Sequence, residues 1–442
     1  MFPKRTGALV VAAALLVSGC GGAPPATRTP PPGDQPTQAP KPAAPTAAAT
    51  VSVAPSAKPG PSASPSLAPA TAAPSAAATT STAASGTGQQ SRFFNNADFE
   101  RQLAQRKVAP DGPADQPWLQ AIQPTYTDTT KYKKAGPWNV CFSNAAVDNP
   151  WRVVGWTTMQ AEAALHGDIT LNAVDAGGKD DKQAADLADL TTKKCDAIVV
   201  SPNTTAAMTP AVQKACDTGV PIVVFDRGVT TDCPVTFIHP IGGYAFGADG
   251  AEFLTRSVRK GGNVLALRNL PGVDVLETRW AAAKVIFDAA QINVVGVQFT
   301  EGDPVKVKAI VGDYIRRFGT IDGVWMDAGA TSVAAVEAFE AAGKPIPPIT
   351  GEDQMDFLKK WQAQNLRALA PTYPTYQWRT AIIAVRMIMN GQRVPKEWVL
   401  PQPVITRDTL DGYVAPHMPP LFYALCGCQK LPGFPDRWGG RP

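Results

Sequence analysis

Residues 195–228, CDAIVVSPNTTAAMTPAVQKACDTGVPIVVFDRG, contain two short runs rich in β-branched residues with a helix-length segment between them. The first run is CDAIVVSP (195–202) and the second is PIVVFDRG (221–228). A strand, a crossover helix and a second strand in this order form a βαβ unit with parallel strands. Because the strands of a parallel sheet are buried on both faces, this stretch predicts a parallel sheet that helices cover on both sides.

The same alternation continues on both sides of this unit. Two runs precede it and a second series follows it, namely WNVCFSNAA (138–146), ITLNAVDAG (169–177), NVLALRN (263–269), VVGVQFTEG (294–302), GVWMDAG (323–329) and PPITGED (347–353). A segment of helical length follows each run. Two consecutive series predict an α/β protein with two doubly wound parallel-sheet lobes. A further run, ALAPTYP (368–374), precedes a helix over 376–390, and we expect this helix to cross back to the first lobe.

The N-terminus has the pattern of a secretion signal. Lys4 and Arg5 precede a ten-residue apolar run over 8–17, which predicts a signal peptide over residues 1–19. The string LVSGC (16–20) resembles the lipobox of bacterial lipoproteins, and this resemblance implies a lipid on Cys20. An ordinary signal peptide with an incidental cysteine is the alternative. Because acyl chains anchor proteins stably in a bilayer, we expect a lipid-anchored protein at the cell membrane, outside the cytoplasm.

The residues after Cys20 have the composition of a tether. Residues 21–90 contain 15 prolines and 20 alanines but only four charged residues. Such a segment cannot bury enough apolar surface to offset its conformational entropy, so we expect residues 20–90 to form a disordered linker. Residues 91–136, with a helix over 97–105, are expected to be a wrapping extension of the folded part, and residues 413–442 are expected to be a C-terminal tail.

Charge and motifs exclude several classes of protein. The 442-residue chain has a net charge of +4, which is too small and too scattered to indicate nucleic-acid binding. After the leader no apolar run reaches the roughly 18 residues of a membrane span. The sequence has no G-x-S-x-G, P-loop or H-E-x-x-H motif, so we expect neither an enzyme nor a bound cofactor or metal. The adjacent carboxylates of Glu352 and Asp353 leave a glycosidase as a less favoured alternative.

Six cysteines remain after Cys20. Outside the cytoplasm an even number favours disulfides, although six cysteines allow 15 connectivities. We expect a bridge between Cys216 and Cys233, which flank one predicted strand. For Cys426 and Cys428, structural pairing is favoured over a metal site, since the sequence offers no second pair of ligands at the required spacing. Cys141 lies inside a predicted core strand, where a buried free thiol is the alternative to a disulfide.

Polar residues follow several of the predicted strands. Ligands of open parallel sheets bind at the carboxyl ends of the strands, so these residues are candidates for a binding site. They are Asn149, Trp151, Arg152, Asp226 and Arg227 in the first lobe, and Arg279, Asp303, Asp327, Glu352 and Asp353 in the second. Carboxylates accept hydrogen bonds from hydroxyl pairs, arginine donates them, and an aromatic ring covers a C–H face. Together they fit a small polyhydroxylated ligand.

Four of these segments, taken in order, resemble a known family. The residues NPW (149–151), VFDR (224–227), Arg279 and GED (351–353) resemble the sugar-binding proteins of bacterial ABC importers, of the ribose/galactose type with the type I periplasmic-binding-protein fold. The resemblance extends from about residue 138 to about residue 411.

The resemblance implies roles for individual residues. Trp151 would stack on the sugar, with Asn149 beside it. Asp226 and Arg227 would bind hydroxyls from the first lobe. Arg279 would reach across from the second lobe, where Asp353 would also contribute.

Three positions depart from the family pattern. Arg152 stands where a second aromatic is usual, and the usual second-lobe Asn falls at Ala328, which leaves Asp327 as the nearest polar residue. The usual Gln of the last crossing strand falls near Thr372 and Tyr373. These departures argue against ribose itself but leave the class of ligand unchanged.

The resemblance also implies how the chain divides. One lobe would comprise residues 137–241 plus 372–401, and the other residues 242–371 plus 402–412. Three crossing segments would join them near residues 240–243, 371–374 and 401–403.

These observations lead to one expected function. The protein would be an extracytoplasmic solute-binding lipoprotein, tethered to the membrane through lipid on Cys20. It would capture a monosaccharide or polyol between two lobes, as a monomer, and deliver it to an ABC permease. The alternative is a ligand sensor that reports to a membrane kinase, because the same closed form would serve either output.

Overall fold

The computed structural model describes residues 93–441. The predicted signal peptide, the lipidation site at Cys20 and the predicted linker lie outside the described residues. Within residues 93–441 no helix has both the length and the apolar composition needed to cross a bilayer.

The described residues form fourteen strands and ten α-helices. The strands are β1 (Tyr126–Thr127), β2 (Trp138–Asn144), β3 (Ile169–Asp175), β4 (Ala197–Ser201), β5 (Ile222–Phe225), β6 (Thr236–Pro240), β7 (Asn263–Arg268), β8 (Asn293–Phe299), β9 (Gly323–Met326), β10 (Ile349–Thr350), β11 (Ala368–Pro371), β12 (Val394–Pro395), β13 (Glu397–Leu400) and β14 (Val404–Ile405). The helices are α1 (Asn96–Gln105), α2 (Pro150–Leu165), α3 (Asp180–Thr192), α4 (Thr205–Asp217), α5 (Gly243–Ser257), α6 (Asp274–Ala289), α7 (Pro304–Phe318), α8 (Ser332–Ala341), α9 (Met355–Gln364) and α10 (Gln377–Met389).

The first lobe is built on a sheet of six parallel strands in the order β13-β6-β5-β4-β2-β3. Alternate residues of its central strands pack into two separate cores, because successive side chains of a strand point to opposite faces. In β4, Val199 packs with α2 and α10, whereas Ile198 and Val200 pack with α3 and α4. Both faces of the sheet are therefore covered, as the apolar runs predict.

The second lobe has the same design. Its sheet has the order β14-β11-β10-β9-β7-β8, and all neighbouring pairs are parallel except β14 with β11. In β9, Trp325 packs with α5 and α6, whereas Val324 and Met326 pack with α7, α8 and α9. The expected fold class, two doubly wound lobes, is confirmed.

Three segments cross between the lobes. The chain passes from β6 of the first sheet to α5 of the second lobe, from β11 of the second sheet to α10 of the first lobe, and from β13 of the first sheet to β14 of the second. Helix α10 lies in the first lobe, where it packs against α2 and β5.

Strand β6 and helix α5 were not predicted from the sequence. Helix α5 includes Gly243, Gly247 and Gly250, and glycine is unfavourable inside a helix because it loses the most conformational freedom. The reason for one of them lies in the packing: a Cβ on Gly247 would lie 1.9 Å from the carbonyl oxygen of Arg279 in α6. The close approach of the two helices therefore requires glycine there.

The N-terminal extension contacts both lobes. In α1, Arg101 lies 3.3 Å from Glu397 of β13 in the first lobe. One turn later, Arg106 pairs with Asp249 and Glu252 of α5 in the second lobe. The extension thus contacts one element of each lobe, β13 and α5.

Three disulfides join the six cysteines of the folded part. The expected Cys216–Cys233 bridge is present, with Cα atoms 6.0 Å apart. Cys141 is bonded to Cys195, so it is not the free thiol of the alternative interpretation. Cys426 and Cys428 are bonded to each other across one residue. In residues 93–441 no cluster of three or more His, Cys, Asp or Glu side chains could hold a metal ion.

Candidate ligand-binding site

A cavity of about 110 Å³ lies between the carboxyl ends of the two sheets. Residues of both lobes, of a crossing segment and of the C-terminal tail line it: Asn149, Pro150, Trp151, Arg152, Asp226, Arg227, Asn269, Leu270, Val273, Val275, Leu276, Arg279, Ala328, Ala330, Glu352, Tyr373 and Tyr423. Seven of the ten candidate residues named from the sequence are among them. The exceptions are Asp303, Asp327 and Asp353.

On the first-lobe side, Arg152 and Asp226 form a buried ion pair. The Nη2 atom of Arg152 donates to Oδ2 of Asp226 at 2.9 Å, and its Nη1 atom lies within 3.4 Å of Asn144 Oδ1 and Ser201 Oγ. Burial lowers the pKa of Arg152, and the carboxylate of Asp226 opposes this shift. Arg152 therefore holds the Asp226 carboxylate in a fixed position at the end of β5.

The backbone at Asp226 has a φ angle of +70°, in the left-handed region. Residues other than glycine adopt this region at a cost, and such residues are enriched at functional sites. The conformation directs successive side chains, Asp226 and Arg227, into the same cavity.

Of the three arginines that line the cavity, only Arg227 has no carboxylate partner in the described residues. Its Nη1 atom donates to the backbone oxygen of Asn203, whereas its Nε atom is buried and has no hydrogen-bond partner among residues 93–441. No carboxylate in this part of the chain lies within 4 Å of it. The positive charge of Arg227 is therefore not paired within this part of the chain, and a polar ligand in the cavity could accept a hydrogen bond from its guanidinium.

On the second-lobe side, Arg279 and Glu352 form a matching buried pair. Nη1 of Arg279 donates to Oε1 of Glu352 at 3.1 Å and to the backbone oxygen of Asp327. The guanidinium carbon lies 3.8 Å from the centroid of the Phe246 ring, close enough for a cation–π contact. The other carboxylate oxygen of Glu352 accepts from Gly329 N at 3.0 Å.

The three remaining candidate carboxylates serve other contacts, and Asp303 caps α7 by accepting from the backbone N of Val305 at 2.7 Å. Asp327 accepts from the backbone N of Asn269 at 2.6 Å, and Asp353 accepts from the backbone N of Leu425 at 2.7 Å. Burial raises the pKa of each to about 7. Asp353 thus binds the C-terminal tail, and its neighbour Glu352 occupies the cavity instead.

Two aromatic side chains connect the cavity to a crossing segment. The indole nitrogen of Trp151 donates to the backbone oxygen of Tyr373 at 2.7 Å, and the two ring centroids are 5.8 Å apart. The hydroxyl of Tyr373 donates to the backbone oxygen of Asp226 at 3.2 Å. Trp151 is therefore held in position as an apolar wall of the cavity; that it stacks on a bound sugar remains a prediction.

Sequence reasoning missed several lining residues. Asn269 follows β7, so the rule that ligands bind at strand ends could have found it; its Oδ1 atom is buried and has no hydrogen-bond partner in the described residues. Tyr423 donates to Oε2 of Glu352 at 3.3 Å, but it belongs to the irregular tail and no local signal indicated it. The apolar residues Leu270, Val273, Val275 and Leu276 lie in a loop and first turn that carry no charge pattern.

Known proteins with similar sequences and folds include sugar-binding transport proteins. The ribose import binding protein of Bacillus subtilis (strain 168) is 26% identical over 254 residues, which are 58% of this chain and 82% of that protein. A solute-binding protein of an ABC transporter from Bacillus halodurans C-125, solved with bound myo-inositol, has a TM-score of 0.57 and 20% identity, covering 63% of this chain and 98% of that one. The fructose-binding periplasmic domain of a hybrid two-component system has a TM-score of 0.55 and 21% identity, covering 62% and 92%.

The sequence identities to these two solved structures are low, so the likeness shows a shared fold and nothing further. The family itself follows from the sequence: a family model described as the periplasmic binding protein domain matches residues 140–393. Because this match covers more than half of the chain, the protein belongs to the periplasmic binding protein family, whose members are extracytoplasmic, non-enzymatic solute-binding proteins.

Proposed function

We propose that this protein captures a monosaccharide or polyol between its lobes and delivers it to an ABC import permease, while lipid on Cys20 anchors it to the membrane. One observation carries the proposal. Each lobe presents a buried arginine–carboxylate pair to the same cavity, Arg152 with Asp226 from one side and Arg279 with Glu352 from the other.

The presence of both hydrogen-bond donors and hydrogen-bond acceptors at the cavity supports a polyhydroxylated ligand. The cavity is lined by the guanidinium donors of Arg152, Arg227 and Arg279 and by the carboxylate acceptors of Asp226 and Glu352, and Arg227 pairs with no carboxylate in the described residues. A sugar hydroxyl can both donate and accept, so one small ligand could satisfy donors and acceptors together.

The architecture supports capture by closure. The two pairs belong to different lobes that are joined by three crossing segments, so a ligand between them contacts both. Such a ligand binds the closed form better than the open form and shifts the population towards it. A closed and an open form are what a permease needs in order to recognise the loaded protein.

The proposal can be tested by ligand screening and one matched pair of variants. A thermal-shift screen of pentoses, hexoses, alditols and inositols should find a ligand that stabilises the protein, because a ligand specific to the folded state raises its stability. Calorimetry should then show that Asp226→Ala abolishes binding of that ligand while the protein stays folded. Asp232→Ala, in the exposed loop after the same strand, should leave the affinity unchanged. If Asp226→Ala also left the affinity unchanged, this cavity would not be the binding site.

A second function is supported by one observation. The fructose-binding domain that shares this fold belongs to a hybrid two-component system, so this fold also serves in a sensor. Deleting the gene would separate the two outputs. Loss of uptake of the labelled ligand supports transport, whereas normal uptake with a lost transcriptional response to the ligand supports sensing.

A further inference from the structure

A second cavity, which we term the apolar groove, opens beside the ligand-binding cavity. It has a volume of about 380 Å³ and is lined by Val147, Asp148, Asn149, Pro150, Val153, Val154, Pro419, Leu421, Phe422 and Trp438. Asn149 and Pro150 line both cavities. The two spaces therefore share a wall at the start of α2.

The groove differs from its neighbour in chemistry. Most of its lining is aliphatic or aromatic, whereas the neighbouring cavity contains three arginines and two carboxylates. Three of its large apolar side chains are exposed: Val147 by 38%, Val153 by 49% and Leu421 by 50%. Covering these side chains would remove apolar surface from water, which is favourable.

One side of the groove comes from the C-terminal tail, which lies beyond the residues that the family model matches. The tail is firmly held. Asp353 accepts from the backbone N atoms of Leu425 and, through its own carbonyl oxygen, Ala424. The indole nitrogen of Trp438 donates to Thr158 of α2 at 3.1 Å. The same tail therefore supplies Tyr423 to the ligand cavity and a fixed apolar wall to the groove.

We propose that the apolar groove is a second subsite, which binds an apolar substituent of a sugar held in the ligand cavity. The ligand class would then be glycosides with an alkyl or aryl aglycone rather than free sugars. This inference rests on the proposed sugar-binding function. It follows from the adjacency of the two spaces at Asn149 and Pro150, because a glycoside places a polyhydroxylated part and an apolar part side by side in one molecule.

The size of the groove also favours this occupant. A free monosaccharide in the ligand cavity would leave Val153 and Leu421 facing water, whereas an aglycone would cover them. Removing apolar surface from water is favourable by roughly 25 cal/mol per Å². A phenyl group that covers this surface should therefore strengthen binding by about tenfold or more.

The test compares free sugars with their glycosides. Calorimetry would measure the affinities of ribose, xylose, glucose and galactose, and of the methyl and phenyl glycosides of each. We expect at least one phenyl glycoside to bind about tenfold more tightly than both its free sugar and its methyl glycoside. The methyl glycoside controls for the loss of the anomeric hydroxyl.

Two variants test whether the tighter binding of phenyl glycosides depends on the apolar groove. Leu421→Ser and Val153→Ser should each remove most of the phenyl advantage and leave the affinity for the free sugar or methyl glycoside unchanged. Val285→Ser is the matched control, because this valine is also exposed on a helix, by 37%, and lies outside both cavities. It should change neither affinity.

Three results would overturn the inference, and they differ in what else they overturn. If free sugars bind as tightly as their phenyl glycosides, the groove is not a subsite, but sugar binding stands. If neither these sugars nor their glycosides bind, the subsite fails, and the proposed function fails with it when the wider screen of pentoses, hexoses, alditols and inositols also finds no ligand. A phenyl advantage that survives both serine substitutions would place the aglycone elsewhere and also contradict the proposal.

Discussion

Glu352 and Asp353 are neighbours in the chain, yet their carboxylates have different surroundings. Both oxygens of Glu352 accept hydrogen bonds, and the partners include Arg279 and the hydroxyl of Tyr423. Asp353 accepts from the backbone of Leu425 through one oxygen, while its other oxygen has no hydrogen-bond partner within residues 93–441. The first carboxylate belongs to the ligand cavity and the second to the attachment of the tail.

This difference predicts which carboxylate controls ligand affinity. Glu352→Gln should weaken binding of the ligand found by screening by about tenfold or more, because hydrogen bonds to a charged group contribute roughly 1.5–3 kcal/mol. Asp353→Asn should change the affinity far less. Calorimetry on both variants gives the comparison. The reverse order would mean that Asp353, as the sequence resemblance implied, turns towards the ligand.

The dependence of the free energy of unfolding on pH tests whether the Asp353 carboxyl is buried. Burial raises the pKa of Asp353 to about 7 in the folded protein, against 3.8 for an ordinary aspartate. Between these values the folded state holds a proton that the unfolded state has lost, so the free energy of unfolding falls as the pH rises, by up to about 1.4 kcal/mol per pH unit. Below pH 4 and above pH 7 this contribution is constant.

Asp353→Asn removes this titration. The variant should therefore lose less stability than the natural protein when urea unfolding at pH 5 is compared with urea unfolding at pH 7. Asp327, whose pKa burial also raises to about 7, contributes the same sign in both proteins and cancels in the comparison. Equal pH dependence of the two proteins would show that Asp353 is not buried as an acid.

Individual site residues could be predicted only where their position directly after a strand, or at the start of the next helix, was enough to place them at the cavity. Asp226 and Arg227 directly follow a buried strand, and Asn149 and Trp151 start the next helix after another, so position alone placed them at the ligand cavity. Glu352 and Asp353 follow a strand equally well. Which of the two enters the cavity depends on where the tail docks, and nothing in the local sequence reports that.

At the scale of elements, the contact between α5 and α6 decides the position of Arg279. A Cβ on Gly247 would lie 1.9 Å from the carbonyl oxygen of that arginine. A methyl group there cannot be accommodated without moving one helix. Because α6 carries Arg279 into the cavity, a shift of the helix should reach the ligand site.

Gly247→Ala should therefore lower both stability and affinity. Overpacking of this kind costs about 1–3 kcal/mol, and the displaced Arg279 should weaken ligand binding in parallel. Urea unfolding and calorimetry measure the two effects. Gly312→Ala in α7 is the control, because its Cβ would meet its nearest neighbour at an ordinary 3.5 Å; it should be neutral or stabilise by roughly 0.5–1 kcal/mol. Similar behaviour of the two variants would contradict the close-packing argument.

The elements that the sequence predicted differ in one property from helix α5, which it did not predict. Most strands of both series are runs rich in apolar residues, followed by helices with polar and apolar faces, so their pattern alone identifies them. Helix α5 has nine buried residues, three of them glycines, and its pattern reflects contact with α6 rather than a boundary between core and solvent. Periodicity cannot show such a contact, because the partner is distant in sequence.

At the scale of the whole molecule, the lobes are tied by more than the three crossing segments. The tail is attached to the second lobe through Asp353 and to the first lobe through Trp438, which donates to Thr158 of α2. In the first lobe Arg379 of α10 also donates to the backbone oxygen of Gly427 in the tail. The crossings could be expected from the resemblance, whereas these ties could not, since the tail has little periodicity. Opening of the cleft must therefore stretch or release the tail.

The hydrogen bond between Trp438 and Thr158 tests whether the tail holds the lobes together. Thr158→Val keeps the shape of the buried side chain but leaves the indole nitrogen without its acceptor, which should cost roughly 1–3 kcal/mol of stability. The adjacent Thr157→Val is the matched control: both hydroxyls donate to the backbone oxygen four residues earlier, but only that of Thr158 contacts the tail. Thr157→Val should change stability by less than about 0.5 kcal/mol.

Because the lost hydrogen bond between the tail and α2 also favours the open form, the Thr158→Val variant should bind the screened sugar more weakly, although Thr158 touches no part of the ligand cavity. Urea unfolding and calorimetry measure both quantities, and equal stability of the two variants would mean that the tail does not restrain the first lobe.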